Sequence, residues 1–374
     1  MIWFLLAILI VIIGVTLVLR GSNLSHLDSD PLPPTEHSPS PAQREALRMI
    51  RDMNRAGKGL RGRARLNAIR DFMDSMSEGL DLTSEFRTPQ DSGPRGEWVI
   101  APNVQPERRI LYIHGGAWMA GSPKSHRAIT DRLSQLANAA VFAVDYRLMP
   151  ENRYRDGLRD CQSAYRWLLA NGPEGPAPAQ FMAVAGDSAG GNHTLSLIAW
   201  LKEQDLQQPD VAVALSPATD LTFTAPSLRN NVNTDPLLGP AFKPLIRIPL
   251  PLLWWGTFLF FRISPSNPLL SPLRANLSGL PPTLIHVSDS EMLVDDARRY
   301  ANKARAAGSP VALKIWPGML HVWHIFTPWL PEADEALKDI GDFLSRPDEL
   351  ERDRNVRRTQ PGAPGSVATS PREE

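Results

Sequence analysis

The chain has 374 residues, 43% of them hydrophobic, enough to bury a substantial core and to exclude an intrinsically disordered protein. Forty basic and forty acidic residues cancel to a formal net charge of zero, so no global charge draws it to nucleic acid. The single cysteine, Cys161, excludes an intramolecular disulfide framework.

Ile2 to Leu19 is apolar apart from Gly14 and Thr16 and carries no charge, long enough to span a bilayer. No Lys or Arg precedes it and no small-x-small cleavage site succeeds it, so residues 1–20 are expected to be an uncleaved single-pass anchor rather than a cleaved signal peptide. Arg20 and the basic residues from Arg44 to Arg70 lean toward a cytoplasmic placement of the catalytic domain. Residues 21–42, rich in Ser, Pro and Asp, read as a flexible linker. Three-to-four spacing then marks helices around Leu47, Ile50 and Met53, and around Leu66, Ile69, Phe72 and Met73, whose basic residues lie either against anionic headgroups or in water.

From Phe86 onward, strands alternate with helices. Strands are expected at 97–101, 109–114, 140–145, 181–185 leading into Ser188, 211–215, 283–287 and 311–316, with helices at 124–137, at 154–170, from beyond Ser188 to about 203, and at 293–307 and 333–344. That alternation predicts an α/β fold with a mostly parallel sheet covered on both faces and its chemistry at the carboxyl ends of the strands. The tail from 347 to 374 has the composition of a disordered segment.

Gly186-Asp187-Ser188-Ala189-Gly190-Gly191 sits between an apolar strand and a helical pattern, so Ser188 occupies a tight strand-turn-helix bend. A serine hydroxyl attacks only when an imidazole removes its proton and a carboxylate steadies that imidazole. Of eight histidines, His114, His321 and His324 lie at strand ends; His321, reached by a short loop after the 311–316 strand, is the expected base, with His324 as competitor among aromatic residues. The acid belongs at the end of the preceding strand, where Asp289 and Glu291 both qualify, Asp295 falling on the next helix. His114-Gly115-Gly116-Ala117-Trp118 suits an oxyanion hole, with the Ala189 amide as a further donor. Asp145, Arg147, Glu151 and Asp220 read as structural.

HGGAW, VDYRLMPE, GDSAGG, the stretch NPLLSPLRANLSGLPPTLIHVSDSEMLVDDA and the ending WPGMLHVW together resemble the hormone-sensitive-lipase-like family of α/β-hydrolases over roughly residues 80–345. The resemblance implies a mostly parallel sheet flanked by helices, a helical cap, and hydrolysis of carboxylic esters without a metal or organic cofactor. It places the nucleophile on Ser188, the base on His321, the oxyanion amides on Gly115 and Gly116, and the triad acid on Glu291, with Asp289 as second choice. Ala117 stands where the family's motif has a third glycine. The expected organisation is then N-terminal cap helices at 43–85 and an α/β-hydrolase catalytic domain at 86–346 containing an apolar cap insertion at 222–265. Within it, 248–261 is uncharged and interrupted by Pro249 and Pro251, suited to covering an acyl pocket, dipping into a membrane surface, or joining the core. Two other functions share these residues: acyl transfer or amide cleavage through the same acyl-serine, and a catalytically silent membrane-tethered binding module.

Overall fold

The computed structural model describes residues 1–32, 38–89 and 93–345; the tail expected at 347–374, and part of the expected linker, lie outside the described residues. Eight strands form one sheet in the order β1-β2-β4-β3-β7-β8-β9-β10. They are β1 (Glu85–Arg87), β2 (Gly96–Ile100), β3 (Gln105–Ile113), β4 (Ala139–Val144), β7 (Phe181–Asp187), β8 (Val211–Leu215), β9 (Thr283–Ser288) and β10 (Val311–Trp316). A two-residue hairpin, β5 (Asn171–Gly172) and β6 (Gly175–Pro176), stands apart. Within the eight-stranded sheet pairing is antiparallel only where β2 meets β1 and β4, so β2 alone runs against the sheet's other strands. The central strands read as unbroken apolar runs because helices cover both faces: every residue of β4, β7, β8 and β9 is buried.

The helices are α1 (Ile2–Arg20), α2 (Pro41–Ala56), α3 (Gly62–Ser75), α4 (Arg127–Ala137), α5 (Tyr154–Leu168), α6 (Ala189–Glu203), the single turns α7 (Ser227–Asn230) and α8 (Gly239–Phe242), α9 (Leu250–Phe261), α10 (Val294–Ala306) and α11 (Pro331–Ser345). α4 and α11 pack with β3, β4 and β7 around Ile110, Tyr112, Ile129, Leu133 and Leu337. On the other face α5 and α6 enclose Leu111, Phe142, Tyr165 and Leu197. α2 starts on a capping box, in which Ser40 Oγ accepts the Gln43 amide at 3.1 Å and Gln43 Oε1 accepts the Ser40 amide at 2.9 Å.

Two local expectations are corrected. Pro249 and Pro251 do not interrupt the apolar stretch; they sit at the N-cap and first turn of α9, where a helix needs no amide, and so begin it. Residues 21–32 are not a free linker either. Leu24 is buried against α10, Arg299 Nε donates to Asp28 Oδ1 at 2.5 Å, and Asn302 Nδ2 donates to the Leu27 carbonyl at 2.9 Å.

Candidate active site

β7 ends at Asp187 and α6 begins at Ala189, leaving Ser188 on the bend with φ 51° and ψ −112°. Only glycine fits the flanking positions. A Cβ on Gly190 would lie 1.9 Å from the Ile113 carbonyl oxygen, and one on Gly186 would lie 2.6 Å from the Gly190 carbonyl oxygen. The close approach of α6 to β3 that these glycines permit brings the hydroxyl to the carboxyl edge of the sheet.

His321 comes from the loop after β10 and Glu291 from the loop after β9, adjacent parallel strands. His321 Nε2 lies 2.9 Å from Ser188 Oγ, and His321 Nδ1 lies 2.7 Å from Glu291 Oε2. The second Glu291 oxygen accepts the Ser288 amide and the Ser216 hydroxyl, each at 2.8 Å. Both His321 and Glu291 are buried, so the exchange of charge between them is little screened. Burial alone would lower the His321 pKa, but the hydrogen bond and charge of Glu291 outweigh it and hold the imidazole above the ordinary histidine value. Burial raises the Glu291 carboxyl, against the pull of His321 and the Ser288 amide.

The competing residues have other partners. Asp289 Oδ1 accepts the Gly318 amide at 2.8 Å and the Ser290 hydroxyl at 2.9 Å, bracing the loop that carries His321. Asp295 Oδ2 accepts the Ser227 amide at 2.9 Å. His324 is fully buried with Nε2 3.2 Å from His286 Nδ1, and burial pushes its pKa well below the ordinary value, leaving it neutral. Arg147 is paired with Asp160, Glu151 with Arg70, and Asp220 with Arg274.

One expected site residue is displaced. The Gly115 amide donates to Asp187 Oδ1 at 3.0 Å and is therefore unavailable to a substrate oxygen. The next two residues turn the backbone over, Gly116 at φ 112° and Ala117 at φ 53°, and their amides have no acceptor among the described residues. Both line the same chamber as Ser188 and His321. Ala189 opens α6, where the first amides of a helix lack intrahelical acceptors.

Asp187, unremarked in the sequence apart from its place before the serine, organises this loop. Tyr112 Oη donates to its Oδ1 at 2.7 Å, and His126 Nε2 lies 3.4 Å from Oδ2. His114 stacks on Tyr146 with centroids 4.3 Å apart, and burial lowers its pKa to about 3, so it is a neutral wedge rather than a base. Ser216 was equally silent: at the end of β8 its hydroxyl donates to Glu291 and accepts the Val322 amide at 3.3 Å.

Above Ser188 lies a cavity of about 310 Å³. α2 and α3 roof it with Met49, Met53, Leu66, Ile69 and Met73, Met76 follows at the end of α3, and Met119 joins from the oxyanion loop. Unbranched thioether side chains adapt to flexible apolar groups. Among the described residues no cluster of His, Cys, Asp and Glu is arranged to hold a metal ion.

A family model described as the alpha/beta hydrolase fold matches residues 110–325. The acetyl-hydrolase of Streptomyces hygroscopicus is 39% identical over 66% of this chain and 78% of its own. The chain belongs to the hormone-sensitive-lipase-like family of α/β-hydrolases. As such it is an enzyme of the esterase class. An esterase of Acinetobacter venetianus is 35% identical to this hydrolase over 75% of the chain and 88% of its own. The crystal structure of an esterase from the bacterial hormone-sensitive lipase family superposes with a TM-score of 0.72 at 33% identity, over 83% of the hydrolase and 99% of that chain. The carboxylesterase/phospholipase LipF of Mycobacterium tuberculosis is 39% identical over 66% of the hydrolase and 65% of its own chain. α1, which lies outside the residues that the family model matches, is long and apolar enough to cross a membrane.

Proposed function

We propose that this protein is a membrane-anchored serine carboxylic-ester hydrolase that works through an acyl-serine intermediate. The observation that carries the reading is the continuous relay from Ser188 Oγ through His321 to Glu291, with steps of 2.9 and 2.7 Å. His321 takes the hydroxyl proton as Ser188 attacks the ester carbonyl carbon, and Glu291 stabilises the imidazolium that forms. The amides of Gly116, Ala117 and Ala189 receive the developing oxyanion. Collapse expels the alcohol, which takes its proton from His321. Water, deprotonated by the same imidazole, then releases the acid and restores Ser188.

The methionine- and leucine-lined chamber, at the small end of ligand-pocket sizes, favours short- to medium-chain acyl groups, presented as simple or lipid-like esters. No cofactor enters these steps. Retention of α1 as an anchor is supported by its docking on the cap, where Trp255 Nε1 donates to Thr16 Oγ1. The basic residues after α1 favour a cytoplasmic catalytic domain. The division into anchor (1–20), cap helices (43–85) and catalytic domain (86–346) with an inserted 222–265 segment belongs to the same reading.

A panel of p-nitrophenyl esters of increasing acyl length tests it. Turnover that peaks at short to medium chains and disappears in Ser188→Ala is the expected result. Equal turnover in Ser188→Ala would overturn the mechanism, and acyl transfer to an added alcohol in preference to water would move the activity to acyl transfer.

A further inference from the structure

The helix α9 is an unusual cap element. Its twelve residues, LPLLWWGTFLFF, carry no charge, and only Trp254, Thr257 and Phe261 among them are buried. Leu252 and Leu259 stand 62% and 54% exposed on the outer side, with Phe260 beside them at 47%. A soluble cap would place polar groups there.

What lies against this outer side is the end of α1. Trp255 Nε1 donates to Thr16 Oγ1 at 3.0 Å, and just beyond α9 the Ser266 hydroxyl donates to the Val18 carbonyl at 2.8 Å. Leu19 is buried, whereas Ile2 to Ile13 stand in the open. At 1.5 Å per residue α1 is about 28 Å long, close to the thickness of a bilayer's hydrocarbon layer. Thr16 lies four residues before the end of α1 at Arg20, so a helix bonded to it sits within roughly 6 Å of the boundary, the depth at which amphipathic interfacial helices lie. Arg247 and Arg262 flank α9, are exposed, and have no ion pair among the described residues, as suits groups facing lipid phosphates.

The position matters for the site. Phe260 lines a surface groove with Leu66, Ile69 and Met119, and these last three also wall the chamber over Ser188. The groove and the chamber are therefore two sides of one thin apolar partition.

We infer that the outer face of α9 is seated in the hydrocarbon boundary of the bilayer that holds α1, so that the apolar groove beside the active-site chamber opens onto lipid and takes esters dissolved in the membrane. The membrane contact stands on the docking of α1; the delivery of esters rests on the esterase reading. The occupant of the α9 face is phospholipid acyl chain, because the element continuous with it is an exposed apolar helix of spanning length.

The test uses the full chain in phosphatidylcholine vesicles, with nitroxide labels at Leu252→Cys, Leu259→Cys and, as an exposed reference before the amino end of β8, Leu206→Cys. Labels at 252 and 259 relaxed by oxygen in preference to a water-soluble nickel chelate, with the reverse at 206, are the expected result. Nickel access at 252 and 259 equal to that at 206 would overturn the proposal, as would strong dipolar broadening at 259, which would mean that a second copy covers the face. The paired variant Leu252→Glu/Leu259→Glu should turn over p-nitrophenyl acetate in water as the parent does. On a long-chain ester dissolved in the vesicles it should lose about tenfold, the factor that ~1.4 kcal/mol of lost membrane contact produces. Equal losses on both substrates would contradict membrane delivery. Lipid-type relaxation in a protein that hydrolyses neither ester would leave the membrane contact standing and sink the esterase reading alone.

Discussion

The Asp289 carboxylate accepts the amide of Gly318 at 2.8 Å, three residues before the histidine that contacts Ser188. Glu291, two residues after Asp289, meets that histidine directly at 2.7 Å. One acid holds the loop; the other holds the ring.

The two acids should therefore fail differently. Glu291→Gln removes the charge that stabilises the imidazolium, and kcat should fall by about 10²–10⁴-fold in folded protein. Asp289→Asn keeps an oxygen for the Gly318 amide, and kcat should fall by less than about tenfold. Steady-state kinetics beside circular dichroism checks both; abolition of turnover only in Asp289→Asn would reverse the assignment.

The pH profile carries a second expectation. His321 acts as a base only when neutral, and Glu291 holds its pKa above the ordinary histidine value, so kcat/KM should rise with pH through a limb above about 6.5. In Glu291→Gln the charge is gone and burial, which lowers the imidazole pKa, is left to dominate. The limb should then move to lower pH while the plateau falls. A limb that stays in place in the variant would mean that another group titrates.

Around the oxyanion loop, Gly116 and Ala117 should respond in opposite ways. A Cβ at Gly116 would lie 2.1 Å from the Ala120 carbonyl oxygen on a backbone with φ 112°, so Gly116→Ala should cost about 10²–10³-fold in kcat. Ala117 at φ 53° adopts a conformation that glycine accepts without strain, and Ala117→Gly should keep activity within about twofold. Kinetics on p-nitrophenyl butyrate, with melting temperatures to separate folding from function, distinguishes the two.

Asp187 is expected to act through that loop. Asp187→Ala leaves Tyr112 Oη and the Gly115 amide without their acceptor in a buried site, at a cost of about 1–3 kcal/mol for each unsatisfied group. Melting temperature and kcat should fall together, and Asp187→Asn, which keeps an acceptor, should restore more of the first than of the second. Full activity in Asp187→Ala would mean that the loop holds its shape without this carboxylate.

Much of the site was legible because strand order and motif position coincide. β3, β7, β9 and β10 each end on a candidate motif, and the glycines around Ser188 announce a bend that no larger residue allows. The register of the oxyanion loop was not legible. Which amide faces the cavity depends on the sign of φ at Gly116 and Ala117, and residue type alone does not set that sign at an alanine. Asp187 and Ser216 stayed hidden for a related reason: their partners Tyr112, Gly115 and Glu291 lie on or after other strands, 72 to 75 residues away in the chain. The docking of residues 21–32 escaped composition because its hold rests on a few contacts, the burial of Leu24, the Asp28–Arg299 pair and hydrogen bonds from Asn302, whose partners lie 271 to 275 residues away in the chain.

The covalent role of Ser188 is central, and labelling with a fluorophosphonate tests it most directly. Activity on p-nitrophenyl butyrate should disappear in step with stoichiometric phosphonylation, and peptide mass spectrometry should place the adduct on Ser188, with none formed in Ser188→Ala. Inactivation with the adduct elsewhere, or full activity in protein whose Ser188 is modified, would contradict that role.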